Sequence, residues 1–191
     1  MFPSTDIEDL GMGASDSNTS PTEGVTEGPT PSARESISTE DISSGNAYES
    51  QRLDVIVSRG DPIDAPQYRH TELLIQHLSQ DGTVLWRRYL HVAGAAGFFE
   101  REELDYDPTS SELFAGLVPV TTIAVSTSAD RRLRDAIWST PVNNADRSWN
   151  CQNYVGDALY SCTEAGLVST EETENAIDGM TDLILEAPDL G

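Results

Sequence analysis

Cys151 follows Trp149 and Asn150 and opens the run Cys151-Gln152-Asn153-Tyr154-Val155-Gly156-Asp157-Ala158-Leu159-Tyr160-Ser161-Cys162. Tyr154, Val155, Ala158, Leu159 and Cys162 recur at three- and four-residue steps, which is the stripe of a helix packed against something else. Cys151 therefore falls at or near a helix N-terminus. Unpaired backbone N–H groups and the positive end of the helix dipole favour a thiolate there, and so a better nucleophile. Such a thiol needs a base. The chain has three histidines, His70, His77 and His91, all upstream and all within one short region. The competing reading makes Cys151 a small buried hydrophobe, since free cysteines are among the most buried residues.

The elements that must bring these groups together can be read in order. Leu53 to Gly60 predicts a strand closed by glycine, and Arg69 to Leu78 a second strand that opens with His70. Gln80-Asp81-Gly82-Thr83 supplies a hairpin turn, because Asp-Gly tolerates the positive φ of tight turns. The return strand, Thr83 to Val92, carries His91 back toward His70 and leaves His77 near the turn. Phe98 to Glu102 predicts a short further strand, and Leu117 to Ser126 a β-branched core strand with Pro119 confined to its start or to an edge. Thr127 to Asp130 reads as the cap of a helix that buries Leu133, Ala136, Ile137 and Trp138 and stops at Pro141. A last helix opens on the capping box Ser169-Thr170-Glu171-Glu172 and presents Ile177, Met180, Leu183 and Ile184. Strands first and helices later predict an α+β fold, an antiparallel sheet with packed helices.

Residues 1–50 are rich in Ser, Thr, Gly, Pro and acid and are read as a disordered acidic tail, leaving 51–188 as a single domain. The chain carries 33 acidic and 11 basic side chains, a formal charge of -22, and every basic residue is arginine. That balance argues against binding nucleic acid or an anionic membrane, both of which need a basic patch. Cys151 and Cys162 lie about three helical turns apart, too far to bridge. With no basic, apolar leader and no membrane-spanning run, the expectation is a cytoplasmic protein.

His70 opening one strand, His91 ending its partner, and Trp149-Asn150-Cys151-Gln152-Asn153-Tyr154-Val155 beginning a helix give an order of parts that resembles a circularly permuted papain-like fold, as in the NlpC and lecithin retinol acyltransferase group. A closer likeness over residues 69–186 is to small fungal proteins of uncharacterised role. These share the strand His, a Tyr-x-His-like element (Tyr89-Leu90-His91), an apolar strand, a Leu-rich helix, Pro141-Val142, Asp146 and Trp149-Asn150-Cys151. The resemblance implies Cys151 as nucleophile, His70 as general base and His91 as the group that orients it. The backbone N–H of Cys151 and the side chains of Asn150 or Gln152 are the candidate oxyanion donors, from adjacency. The acyltransferase motif has a histidine two residues after its cysteine where this chain has Asn153, and the apolar C-terminal anchor of the membrane-bound members is not seen.

No metal and no cofactor is expected. A zinc site would have to join Cys151, His70, His91 and a carboxylate without any local ligand spacing, and Gly94 and Gly97 lack the context of a phosphate loop. Glu100, Glu102, Glu103, Asp105 and Asp107 read as a solvated face. Two functions follow as expectations. One is a cysteine-dependent hydrolase or acyltransferase acting on an amide, thioester or ester of a small molecule or peptide. The other is a non-enzymatic accessory protein that keeps a papain-like scaffold and binds a protein partner.

Overall fold

In a computed structural model, which describes residues 49–188, alternation sorts the apolar residues of the strands between the two faces of a sheet. The strands are β1 (Glu49–Ser58), β2 (His70–Leu78), β3 (Val84–Ala93), β4 (Glu100–Leu104) and β5 (Phe114–Val125). They form one antiparallel sheet in the order β4-β3-β2-β1-β5. Three helices follow: α1 (Arg132–Ser139), α2 (Cys151–Glu164) and α3 (Thr170–Leu185). The fold is α+β.

Leu53, Val55 and Val57 of β1, Leu73 and Ile75 of β2, and Leu90 and Val92 of β3 join Leu133 and Ile137 of α1 and Tyr154, Val155, Ala158 and Leu159 of α2 in one core. Each fully buried aliphatic side chain of this kind stabilises the fold by roughly 1.5–3 kcal/mol. The alternate residues Ile56, Leu74 and Tyr89 form a smaller cluster with Phe114 and Leu117. Against β5, α3 comes in close: a Cβ added at Gly179 would lie 2.9 Å from Val118 Cγ1.

Several sequence expectations are refined. β1 begins at Glu49, where Glu49 and Ser50 pair with Val125 and Ala124, so the ordered ladder starts before Arg52. The expected disordered tail otherwise lies outside the described residues. β5 starts at Phe114, and Pro119 is tolerated because β5 is the edge strand and its register shifts there, opposite Leu53 and Asp54. The N-cap of α1 is Arg131, with no side-chain cap. Thr127 Oγ1 accepts instead from Ala129 N at 2.9 Å, and Asp130 Oδ1 from Arg132 N at 3.0 Å. Among the described residues no helix is long and apolar enough to cross a membrane.

Candidate active site

The site grows from a fork in the sheet. β2 pairs with β3 from Leu78 and Val84 up to Leu73 and Leu90, where the described ladder ends. Beyond that point β2 continues on β1, with Glu72, Thr71 and His70 opposite Ile56, Val57 and Ser58. β3 continues on β4, with His91 and Val92 opposite Glu102 and Arg101. The two imidazoles span the fork: His70 Nε2 lies 3.0 Å from His91 Nδ1, with the rings edge to face.

Hydrogen-bond order assigns the tautomers. His91 Nε2 is buried, has no hydrogen-bond partner and sits 3.4 Å from Glu102 Oε2. A lone pair facing a carboxylate would be repelled, so the proton of His91 belongs on Nε2. Its Nδ1 then accepts from His70 Nε2–H, which leaves the lone pair of His70 on Nδ1. That is the form a general base needs.

Helix α2 sets Cys151, its first residue, on the sheet face of Leu73, Ile75, Leu90 and Val92, whereas alternation turns His70, Glu72, Tyr89 and His91 to the other face, so Cys151 meets the segment of His70 through Thr71. Asn150 is the N-cap: its Oδ1 accepts from Gln152 N at 2.9 Å and Asn153 N at 3.4 Å, while Asn153 Oδ1 accepts from Asn150 N at 3.0 Å, a reciprocal capping box. The Cys151 sulfur is half-buried and faces the main chain and hydroxyl of Thr71, with Glu72 and Tyr89 close enough to interact electrostatically. Among the described residues no hydrogen bond joins it to either imidazole.

Burial, more than the helix terminus, sets the charge states. It pushes the Cys151 thiol up; the Thr71 and Gln152 amides pull the other way, and Glu72 adds to the rise. The expectation of a thiolate stabilised by the helix start is therefore reversed in the resting site, because loss of solvent outweighs the dipole. Burial pulls His70 down to about 4, helped by His91, and lowers His91 against the opposing pull of Glu102. At neutral pH thiol and imidazoles are uncharged.

The other expected residues are placed as follows. Gln152 Nε2 donates to Pro66 O at 3.3 Å and Arg69 O at 3.4 Å, so its amide ties the start of α2 to the segment leading into His70. Asn150 holds the cap with its oxygen. Of the three candidate oxyanion donors, the Gln152 amide is engaged, while the Cys151 backbone N–H and the Asn150 Nδ2 make no hydrogen bond among the described residues. His77 belongs elsewhere: it is fully buried, meets Glu49 Oε2 at 2.5 Å and stacks on Trp86 at 5.0 Å. Beside the start of α2 opens a cleft of ≈ 470 Å³, walled by Pro66, Asn150 and Gln152 on one side and Met180 and Ile184 on the other.

Sequence reading passed over Thr71 and Glu72, and named Tyr89 only as part of the Tyr-x-His-like element. A signal for Glu72 was present, since strand alternation puts it on the face of His70 and it is a lone acid ahead of Leu73-Leu74-Ile75. Arg69, next to His70, is buried and clamps Asp64 bidentately at 2.9 and 2.8 Å while also donating to the Leu183 carbonyl, which fixes where β2 begins.

Compared with family models, curated proteins and solved structures, the chain matches none. No group of three or more His, Cys, Asp or Glu among the described residues is arranged to hold a metal ion.

Proposed function

We propose that this domain is a thiol-dependent acyl-transferring enzyme, a hydrolase or acyltransferase acting on an ester, thioester or amide, built on a permuted papain-like arrangement. The observation that carries the reading is the His70–His91 pair at 3.0 Å across the fork, with the thiol of Cys151 against Thr71, the residue next to His70. In the proposed reaction His70 Nδ1 takes the thiol proton as sulfur attacks the carbonyl carbon. The carbonyl π electrons move to oxygen, where the Cys151 backbone N–H donates. Collapse of that adduct expels the leaving group, which receives the proton from His70. Water or a second acceptor, deprotonated by the same nitrogen, releases the acyl group and restores the thiol. A neutral thiol and neutral imidazole suit this course, because the proton moves only as the carbon–sulfur bond forms.

The test is acylation by p-nitrophenyl acetate, followed by peptide mapping. The expected result is an acetyl group on Cys151, lost in Cys151→Ala and slowed at least about 100-fold in His70→Ala. Cys162, fully buried and pushed up to about 12 by burial, stays unlabelled and serves as the internal control. Equal labelling of both cysteines, or a rate unchanged in His70→Ala, overturns the proposal. The reading of an accessory scaffold draws on one observation, the upward shift of the thiol, and predicts no acetyl-cysteine at any pH.

A further inference from the structure

Glu72 is the group at the fork that this chemistry leaves unused. It is 1% exposed. Oε1 lies 3.6 Å from His70 Nε2, the nitrogen that also faces His91. From β1, Ser58 Oγ donates to Oε2 at 3.4 Å. From β3 the Tyr89 hydroxyl points at the carboxyl, and Tyr89 in turn lies 4.9 Å from the ring of His91. From α2 the Cys151 sulfur is within electrostatic reach, and from β4 Glu102 stands behind His91. No arginine pairs with Glu72 in this ring of neighbours. A carboxyl in such a place is costly to ionise, yet once ionised its charge is hardly screened.

We infer that Glu72 is a positioning residue of the site: when ionised it shares the Nε2–H of His70 with His91 and stabilises the imidazolium that forms as the thiol gives up its proton. The geometry makes the role electrostatic. The carboxylate is nearer to His70 than any other acid, and a positive charge appearing on that ring is the one event in the fork that would repay its burial. Ionised Glu72 also disfavours a free thiolate on Cys151, so it favours a course in which proton transfer and attack occur together. The inference rests on the proposed thiol chemistry for its purpose, but the coupling of Glu72 to His70 can be seen without turnover. Burial holds the Glu72 carboxyl up at about 7, against the opposing hydroxyls of Tyr89 and Ser58, so the coupling falls in an accessible range.

Two measurements test it. The first follows the carboxyl carbon of Glu72 and the ring nitrogens of His70 by NMR across pH 5 to 9 in the full chain. The expected result is a step at His70 Nε2 that coincides with ionisation of Glu72 and vanishes in Glu72→Gln. A His70 spectrum that ignores the ionisation, or keeps the step in the variant, overturns the inference, and the wild-type titration alone is decisive should the variant not fold. The second is the rate of acetylation of Cys151 by p-nitrophenyl acetate, corrected for the uncatalysed reaction. Wild type should gain about tenfold between pH 6 and pH 8 as Glu72 ionises, and Glu72→Gln should lose that limb with little change in KM. Absence of any acetyl-cysteine with the NMR step present defeats the enzymatic reading and leaves the coupling standing. Acetylation that needs His70 but is the same in Glu72→Gln defeats the role of Glu72 alone.

Discussion

At the scale of the residue, two groups two positions apart on β2, the buried Glu72 and the partly exposed His70, oppose one another in their effect on stability. The pKa of His70 is lowered on folding, from an ordinary value near 6.5 to about 4. The folded state therefore holds fewer protons than the unfolded one between those limits, and stability rises with pH across them. The pKa of Glu72 is raised from 4.5 to about 7, so the folded state holds more protons in that window and stability falls as pH rises through it. Over pH 4.5 to 6.5 the two slopes offset each other. Replacing Glu72 with Gln removes the falling one. Relative to wild type, Glu72→Gln should thus be more favourable at pH 8 than at pH 4 by roughly 3 kcal/mol, at about 1.36 kcal/mol per pKa unit. Urea denaturation of both proteins at the two pH values checks this, and a difference independent of pH would show that Glu72 is not the buried acid described.

At the scale of the element, two short devices hold thiol and imidazole in register. The capping box at Asn150 fixes where α2 starts, and with it where Cys151 meets Thr71. Asn150→Ala should cost about 1 kcal/mol in urea denaturation, the usual value of a lost N-cap, and should slow acetylation of Cys151 by more than that stability loss alone explains. The Arg69–Asp64 clamp fixes where β2 starts, and with it His70. Asp64→Ala leaves a buried guanidinium with only the Leu183 carbonyl, and should destabilise the domain by about 3 kcal/mol. A loss below about 0.5 kcal/mol, typical of exposed pairs, would mean that the clamp is not buried as described. The hairpin around Asp81-Gly82, the stripe of α2 and the box at Ser169 were legible from the chain because they carry their own local signals; the box at Asn150 and the Arg69–Asp64 clamp were not read from it. The cap of α1 was misread because Thr127 and Asp130 make turn hydrogen bonds with the same side-chain oxygens that a cap would use.

Across the whole molecule the question is how so acidic a chain holds together. Most of the described arginines meet acid: Arg88 and Arg134 both meet Glu103, at 3.3 and 2.6 Å, Arg132 meets Asp130 at 2.7 Å, and Arg87 meets Asp107 at 3.1 Å. With 33 acidic and 11 basic side chains, most acids can have no cationic partner. Their mutual repulsion acts over distances comparable to the screening length, whereas exposed ion pairs contribute little. Raising NaCl from about 0.02 M to about 0.5 M should therefore raise Tm by about 3 °C or more. A Tm that falls with salt would mean that the arginine pairs outweigh the repulsion.

By itself the sequence determined the α+β class, the hairpin that returns His91 to His70, and the helix that begins at Cys151, because turn residues, periodicity and caps act over a few neighbouring positions. Only the tertiary structure decided that the sheet forks at Leu73 and Leu90, that Gln152 binds the carbonyls of Pro66 and Arg69, and that Glu72 and Tyr89 enclose the imidazoles. It also decided that the thiol rests protonated. These depend on which groups lose water together when distant segments pack, and burial of that kind leaves no mark at the spacing of neighbouring residues.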